Sequence, residues 1–319
     1  MVVKRLQDLA KYISGKLLNE EFNDLEISDI TGIDAVNCGH NLSNTITFAD
    51  NLEVYQKAKE LGFVAIVISN KLTEIEQTFP TISVDNPRVA FAQLLDLFYP
   101  RRRYEAQIHP RAIVDPTAAI SPTAYIGPYA IIEKDAHIGD HCEIHAHAQV
   151  GSNSHIGAET RLLAGAHIKK DCQIGRKCLI GALTNIGPKT TIGDNVEIGA
   201  RCQIDTCQIG TGARLDNLIN IKEGVNIAPL AIVISQACLR ENSQTGNLSI
   251  VAGQNLLQPE AKVGDFATVA ARSLVEGDIP AGQNTWSGEP AIMHKAYMRK
   301  IAQRSLPLKY WQKIRKKAE

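Results

Sequence analysis

The stretch IGAETRLLAGAHIKKDCQIGRKCLIGALTNIGPKTTIGDNVEIGARCQI, Ile156 to Ile204, places Ile or Leu at every sixth position. The spacing extends in both directions. Upstream it passes through Ile108, Val114, Ile120, Ile126, Ile132, Ile138, Ile144 and Val150. Downstream it slips by one residue at Ile209 and resumes at Leu215, Ile221, Ile227, Val233 and Leu239. It breaks at Thr245, then ends with Val251, Leu257, Val263, Val269 and Val275. Two residues before each anchor the side chain is usually small, as at Ala124, Ala130, Ala136, Cys142, Ala148, Ser154 and Thr160. Glycine often follows the anchor (Gly127, Gly139, Gly157, Gly175, Gly193), and the backbone freedom of glycine suits a sharp corner. An inward aliphatic anchor in a six-residue repeat is the signature of a hexapeptide β-helix. Three hexads close one triangular coil, so Ile108 to Val275 predicts nine to ten coils stacked along one axis, with ends that need caps.

Composition agrees. Apolar residues make up 44% of the chain, enough for a core, whereas aromatics make up 5%, which suits a narrow interior. The 34 basic and 34 acidic residues cancel, so no general electrostatic attraction to nucleic acid is expected. No apolar run approaches the roughly 20 residues that span a bilayer, and Met1 to Ile13 has no apolar leader core. A cytoplasmic location is the expectation. The seven cysteines are odd in number and form no C-x-x-C pair; six fall in the small-residue slot or beside it, which makes them packing residues rather than metal ligands.

The flanks lack the six-residue period. Val54 to Leu61 reads as a helix, Phe63 to Ser69 and Thr81 to Val84 as strands, and Pro87 to Phe98 as a second helix, an alternation that predicts a small α/β domain. The expected division is therefore residues 1–103, a β-helix over 104–285 and a helical extension over 286–319, the last interrupted near Pro307. Nine Lys or Arg lie between Lys295 and Lys317 against the single acid Glu319, so this extension is either a solvated tail or a docking surface for an acidic partner.

Several motifs in this order resemble the UDP-3-O-acylglucosamine N-acyltransferases of lipid A synthesis. They are ITFADNLEVY (Ile46 to Tyr55), VAIVIS, VDNPRVAFAQLL (Val84 to Leu95), the solenoid stretch above, LDNLINI (Leu215 to Ile221) and SGEPA (Ser287 to Ala291). The resemblance implies a mainly β fold, a left-handed parallel β-helix of hexapeptide repeats with a small N-terminal α/β domain and C-terminal α-helices; periodicity alone does not give the hand. It implies a homotrimer with active sites between neighbouring solenoids. The implied reaction needs no cofactor: acyl carrier protein delivers a 3-hydroxyacyl group to the 2-amine of a UDP-linked amino sugar. By matching positions, Phe48 and Tyr55 would stack on uracil and Asn51 would bond its edge, although Asn51 and Tyr55 are one residue further apart than in the family pattern. The basic C-terminal helices would meet acyl carrier protein.

The chain also departs from that pattern. Glu223 stands where the family has its catalytic histidine, and Glu260 near a second one. An insertion that shapes the family's pocket is absent, since Ile180, Ile186 and Ile192 run on without interruption. Histidine suits proton abstraction near neutral pH, and a carboxylate serves as base only in a suitable setting. Three readings follow: an N-acyltransferase with Glu223 as base, a non-catalytic UDP-sugar-binding or regulatory paralogue, and an acyltransferase for another sugar or donor. His137 and His155, eighteen residues apart, should stack on adjacent coils, too few ligands for a metal.

Overall fold

The computed structural model describes residues 3–33, 42–72, 79–99 and 104–305; Cys38 and the segment around Pro307 lie outside them. The chain divides into two compact units, Met1–Arg102 and Arg103–Glu319.

In the first unit a five-stranded sheet runs in the order Lys16–Leu17, Thr81–Val84, Ala65–Ser69, Thr45–Ala49, Asp29–Ile30. All neighbours are parallel except the first pair. Helices α1 (Leu6–Tyr12) and α3 (Pro87–Phe98) share one apolar cluster with Ile46, Val67 and Ile82. Helix α2 (Leu52–Leu61) shares another with Ala49, Ile66 and Ile68. Alternate residues of each strand thus feed opposite layers, as the two-residue period of a strand requires. Both longer helices begin at asparagine caps: Asn51 Oδ1 accepts from the Val54 N–H, and Asn86 Oδ1 from those of Arg88 and Val89.

The second unit is a left-handed parallel β-helix of two-residue strands. Its three faces begin at Gln107–Ile108 (face one), Ile113–Val114 (face two) and Ala119–Ile120 (face three). Each strand pairs in parallel with the one a coil above and the one a coil below, anchor on anchor, as in Ile156↔Ile174↔Ile192. From Ile126 onward the anchors are buried. In the first coil they are not: Ile108 is 52% exposed, and Val114 and Ile120 are only partly covered. At the other end the strand Thr285–Ser287 packs Trp286 against the last coil, Ile292–Met293 folds back antiparallel, and α4 (His294–Ser305) follows.

The corners correct one reading. The glycines that follow the anchors do not carry the left-handed turn. That conformation falls three residues after the anchor and mostly on other residues, from Tyr129 (φ 57°) to Arg272 (φ 58°). The glycines are needed because coils approach closely there. A Cβ on Gly181 would sit 2.3 Å from the Gly199 carbonyl, and one on Gly139 would sit 2.8 Å from the Ala158 nitrogen.

The small slot is buried and partly polar. Thr160 Oγ1 donates to the Gly175 carbonyl (2.8 Å) and accepts from the Cys178 N–H (3.0 Å); Ser154 and Thr184 repeat the arrangement. Each of these three hydroxyls therefore joins successive coils as donor and acceptor, whereas the Ser243 and Ser249 hydroxyls in the same slot have no hydrogen-bond partner among the described residues. Cys142, Cys172, Cys178, Cys202 and Cys207 occupy this slot; Cys238 instead stands half-exposed on a strand beside Leu239.

Candidate functional site

The slip before Ile209 has a definite structural result. Strand pairs on face three are separated by 18 residues above it (Gln173↔Thr191) and by 17 across it (Thr191↔Gln208), yet the anchors Ile192 and Ile209 remain paired. The missing residue is therefore taken from the corner between faces two and three, after Ile204. Cys207 still fills the small slot, buried among the coils. What is lost is the left-handed corner residue, present at every other corner from Tyr129 to Arg272.

Regular corners use the N–H of that residue to reach the coil above, as Lys189 N–H does to the Lys170 carbonyl (3.1 Å). Here the Thr206 hydroxyl replaces it and donates to the Pro188 carbonyl at 2.8 Å. A backbone acceptor is thus satisfied without the residue that normally serves it. In the next coil the corresponding corner position is Gly224 (φ 76°), which also has no side chain. One missing residue and one missing side chain in successive coils open a notch of about 380 Å³.

Lys189 forms one rim of the notch, on the rigid Gly187-Pro188-Lys189 turn, and Glu223 and Gly224 form the other. Thr191, Gln208 and Asn226, stacked outward on face three, line its side, and Cys207 and Val225 lie at its base. Beside it, Lys222 pairs with Asp205 at 3.5 Å. Glu223 is exposed, and its carboxylate makes no hydrogen bond or ion pair among the described residues; the same holds for the Lys189 ammonium. The Cys207 thiol is pushed up to about 12, first by burial and then by the neighbouring Asp205 charge. It stays protonated and is no nucleophile at neutral pH.

Glu260 lies on the same edge as Glu223, two coils further on, about 10 Å away by the spacing of strands. It is three residues after its anchor, where Glu223 is two after. Its carboxylate accepts from the Asn242 amide (2.8 Å), so the two acids are stacked along one edge and share no contact. His137 and His155 do stack, with ring centroids 5.9 Å apart, and no group of three metal-ligating side chains occurs among the described residues.

The residues expected to hold uracil are not brought together. Phe48 is half-buried against Phe91 (centroids 4.7 Å) in the cluster of α1 and α3. Tyr55 is 2% exposed in the cluster of α2, edge-on to Phe79. The two rings thus belong to opposite layers of the sheet and do not face one ligand. Asn51 commits its Oδ1 to capping α2 and keeps its amide nitrogen as a donor.

Two hexapeptide-repeat families match the solenoid: the bacterial transferase hexapeptide (six repeats) over residues 117–152, and the hexapeptide repeat of succinyl-transferase over 189–217. UDP-3-O-acylglucosamine N-acyltransferase of Syntrophus aciditrophicus is 29% identical over 112 residues, 35% of this chain and 29% of that protein. UDP-3-O-acylglucosamine N-acyltransferase 1 of Koribacter versatilis is 31% identical over 111 residues, 34% of this chain and 31% of that protein. The chain is a hexapeptide-repeat relative of the UDP-3-O-acylglucosamine N-acyltransferases. The matched stretch spans less than a third of these relatives' length. The solved structure of an Arabidopsis UDP-N-acetylglucosamine acyltransferase superposes with a TM-score of 0.55 and 21% identity, covering 65% of this chain and 80% of that one, a likeness of fold. Among the described residues no helix is long and apolar enough to cross a membrane.

Proposed function

We propose that this relative of the UDP-3-O-acylglucosamine N-acyltransferases moves a 3-hydroxyacyl group from acyl carrier protein to the 2-amine of a UDP-3-O-acylglucosamine, in lipid A synthesis. The observation that carries the reading is the notch beside Glu223. At about 380 Å³ it lies near the lower end of small-molecule sites, large enough for a sugar ring but not for a whole sugar nucleotide. In the proposed step the amine nitrogen bonds to the thioester carbonyl carbon while Glu223 accepts a proton from that nitrogen. The tetrahedral adduct then breaks its carbon–sulfur bond, and the proton passes to the departing thiolate. Glu260, two coils away and bonded to Asn242, would act on substrate bound further along the edge.

Phe48 and Asn51 remain the candidates for uridine, and Tyr55 would support them from the core. An exposed apolar strip on the later coils, Leu230, Leu248 and Phe266 at one edge with Ile232 and Ile234 beside it, is suited to burial against another solenoid in a homotrimer. Acyl carrier protein, being acidic, would meet the exposed Lys295, Arg299 and Lys300 of α4. All these parts fit a cytoplasmic enzyme.

The test is an N-acylation assay with the purified chain, a UDP-3-O-acylglucosamine acceptor and 3-hydroxyacyl carrier proteins of several lengths. Turnover supports the reading, and no turnover with any acyl length overturns it. One observation favours a second reading, a non-catalytic UDP-sugar-binding paralogue: Glu223 has no partner among the described residues to orient it as a base.

A further inference from the structure

The charges of this chain are unevenly placed. Of its 34 basic and 34 acidic residues, nine basic ones and a single acidic one, Glu319, fall between Lys295 and the last residue, which leaves 25 basic against 33 acidic residues in the rest. Helix α4 begins this basic end and contains no acidic residue. It is fixed to the cap of the solenoid. The Ser287 hydroxyl and His294 Nδ1 lie 2.8 Å apart, and half-buried Tyr297 lies across Gly288, where a Cβ would stand 2.6 Å from its ring. Further along, Met298 is 49% exposed and Ile301 37% exposed, three residues apart and so on one side of the helix. The helical period sets Lys295 and Arg299 to one side of this pair and Lys300 to the other. All three cations are exposed and in no ion pair among the described residues. The sequence beyond α4 keeps the same mixture, with Tyr310, Trp311 and Ile314 among five further Lys or Arg.

We propose that α4 lies flat on an anionic lipid surface, with Met298 and Ile301 at the acyl boundary and Lys295, Arg299 and Lys300 level with the lipid phosphates. Cations alone would suit any acidic partner. An apolar strip bordered by cations on both sides suits a helix resting in the plane of the interface, because long basic side chains reach the phosphates while their stems cover apolar surface. The tyrosine and tryptophan that follow in the sequence carry the amphipathic rings that favour the same depth. With 12 residues, α4 is far too short to cross a bilayer, so it rests on the surface. The acidic excess of the rest of the chain is repelled by that surface, so only this end approaches it. The proposal does not rest on the acyl-transfer reading.

The experiment sediments the full chain with phosphatidylcholine vesicles and, in parallel, with vesicles in which a quarter of the lipid is phosphatidylglycerol, with no acyl donor or acceptor present. Binding is expected to the anionic vesicles only, and should fall steeply between about 0.1 M and about 0.5 M salt. Arg299→Gln combined with Lys300→Gln should weaken it about 30-fold, the effect of two cations near the surface. Met298→Ser combined with Ile301→Ser should weaken it about tenfold or more, and Lys262→Gln, on face three, should leave it unchanged. All these positions are exposed, so the unfolding midpoints should match that of wild type. No binding to anionic vesicles, equal binding to neutral ones, or wild-type binding by the Met298 and Ile301 double variant overturns the proposal. So does binding to acyl carrier protein, measured on the same preparation, without binding to anionic vesicles; that result assigns α4 to a protein partner alone. Anionic-vesicle binding by a chain that shows no acyl transfer leaves the proposal standing and sinks the enzyme reading.

Discussion

The corner after Ile186 and the corner after Ile204 are built on the same face boundary, one coil apart, and differ by one residue. At the first, Gly187-Pro188-Lys189 completes the turn and Lys189 bonds the coil above through its backbone N–H. At the second, Asp205-Thr206 turns without a left-handed residue, and a hydroxyl supplies the bond. The first is closed and the second leaves the notch. In a repeat fold each regular corner resembles every other, so a chemical site is most readily made where the repeat is defective and neighbouring corners project past the gap.

That contrast can be tested in steps of decreasing effect. Glu223→Gln, which keeps shape and removes the base, should lower acylation turnover by about 100-fold or more, the range of a lost general base. Steady-state rates measure it, and unchanged turnover would remove Glu223 from the chemistry. Next, an alanine at a regular corner should harm the fold more than one in the notch. Gly181→Ala puts a Cβ against backbone that cannot yield, costing about 1–3 kcal/mol. At Gly224 the nearest obstacle is the Asn242 side chain, which can swing aside, leaving the left-handed strain of about 1–2 kcal/mol. Urea unfolding ranks the two, and a larger loss at Gly224 would refute the account of the corners.

Restoring the missing residue is the direct test of the notch. Inserting glycine between Thr206 and Cys207 should leave the unfolding midpoint unchanged or raised while ligand binding at the notch falls. Unchanged binding would mean that the notch is not where the ligand sits. A finer effect concerns the thiol beneath it. With a value of about 12, Cys207 is about one part in ten thousand thiolate at pH 8, so iodoacetamide should label half-exposed Cys238 well before Cys207. Mass spectrometry of the two peptides decides. The smallest effect is on acid stability. Hydrogen bonds from Arg176 to Asp194 and from Ser235 to Asp216 hold both carboxyls below their ordinary value. Because the folded-state value is the lower one, their contribution is complete above about pH 4 and is lost as pH falls through it. Chemical unfolding should show Ser235→Ala less stable than wild type by a constant amount between pH 7 and 5, with the gap closing as pH falls below about 4.

Much of this molecule is legible from spacing. The anchors from Ile108 to Val275 state the solenoid because each must point inward every sixth residue. The helices near Val54 and Pro87 and the strands between them follow from the apolar period. The notch is harder to read. A slip at Ile209 can be absorbed by a bulged strand or by a short corner, and only the preserved pairing of Ile192 with Ile209 decides for the corner. The role of the glycines is also hidden, because a turn that needs a left-handed φ and a coil that needs room both select glycine. The burial of Tyr55 is hidden for another reason: its position in a motif says nothing about which side of α2 meets the sheet. The signal was present in Tyr55 and Ala58, three residues apart, which mark one buried face. The distance from Glu223 to Glu260, one residue more than two coils, already placed them on one edge at different corner positions.

The preserved pairing across the notch has a consequence for how such a chain changes over time. The lost residue behaves like a flaw that ends within its own loop: strands 18 residues apart above it and 17 apart across it meet the same partners. Coils on either side experience no shift in phase, so a corner can be shortened or lengthened without any compensating change elsewhere. Each of the three edges is thus a row of independently adjustable sites on a frame that stays in step.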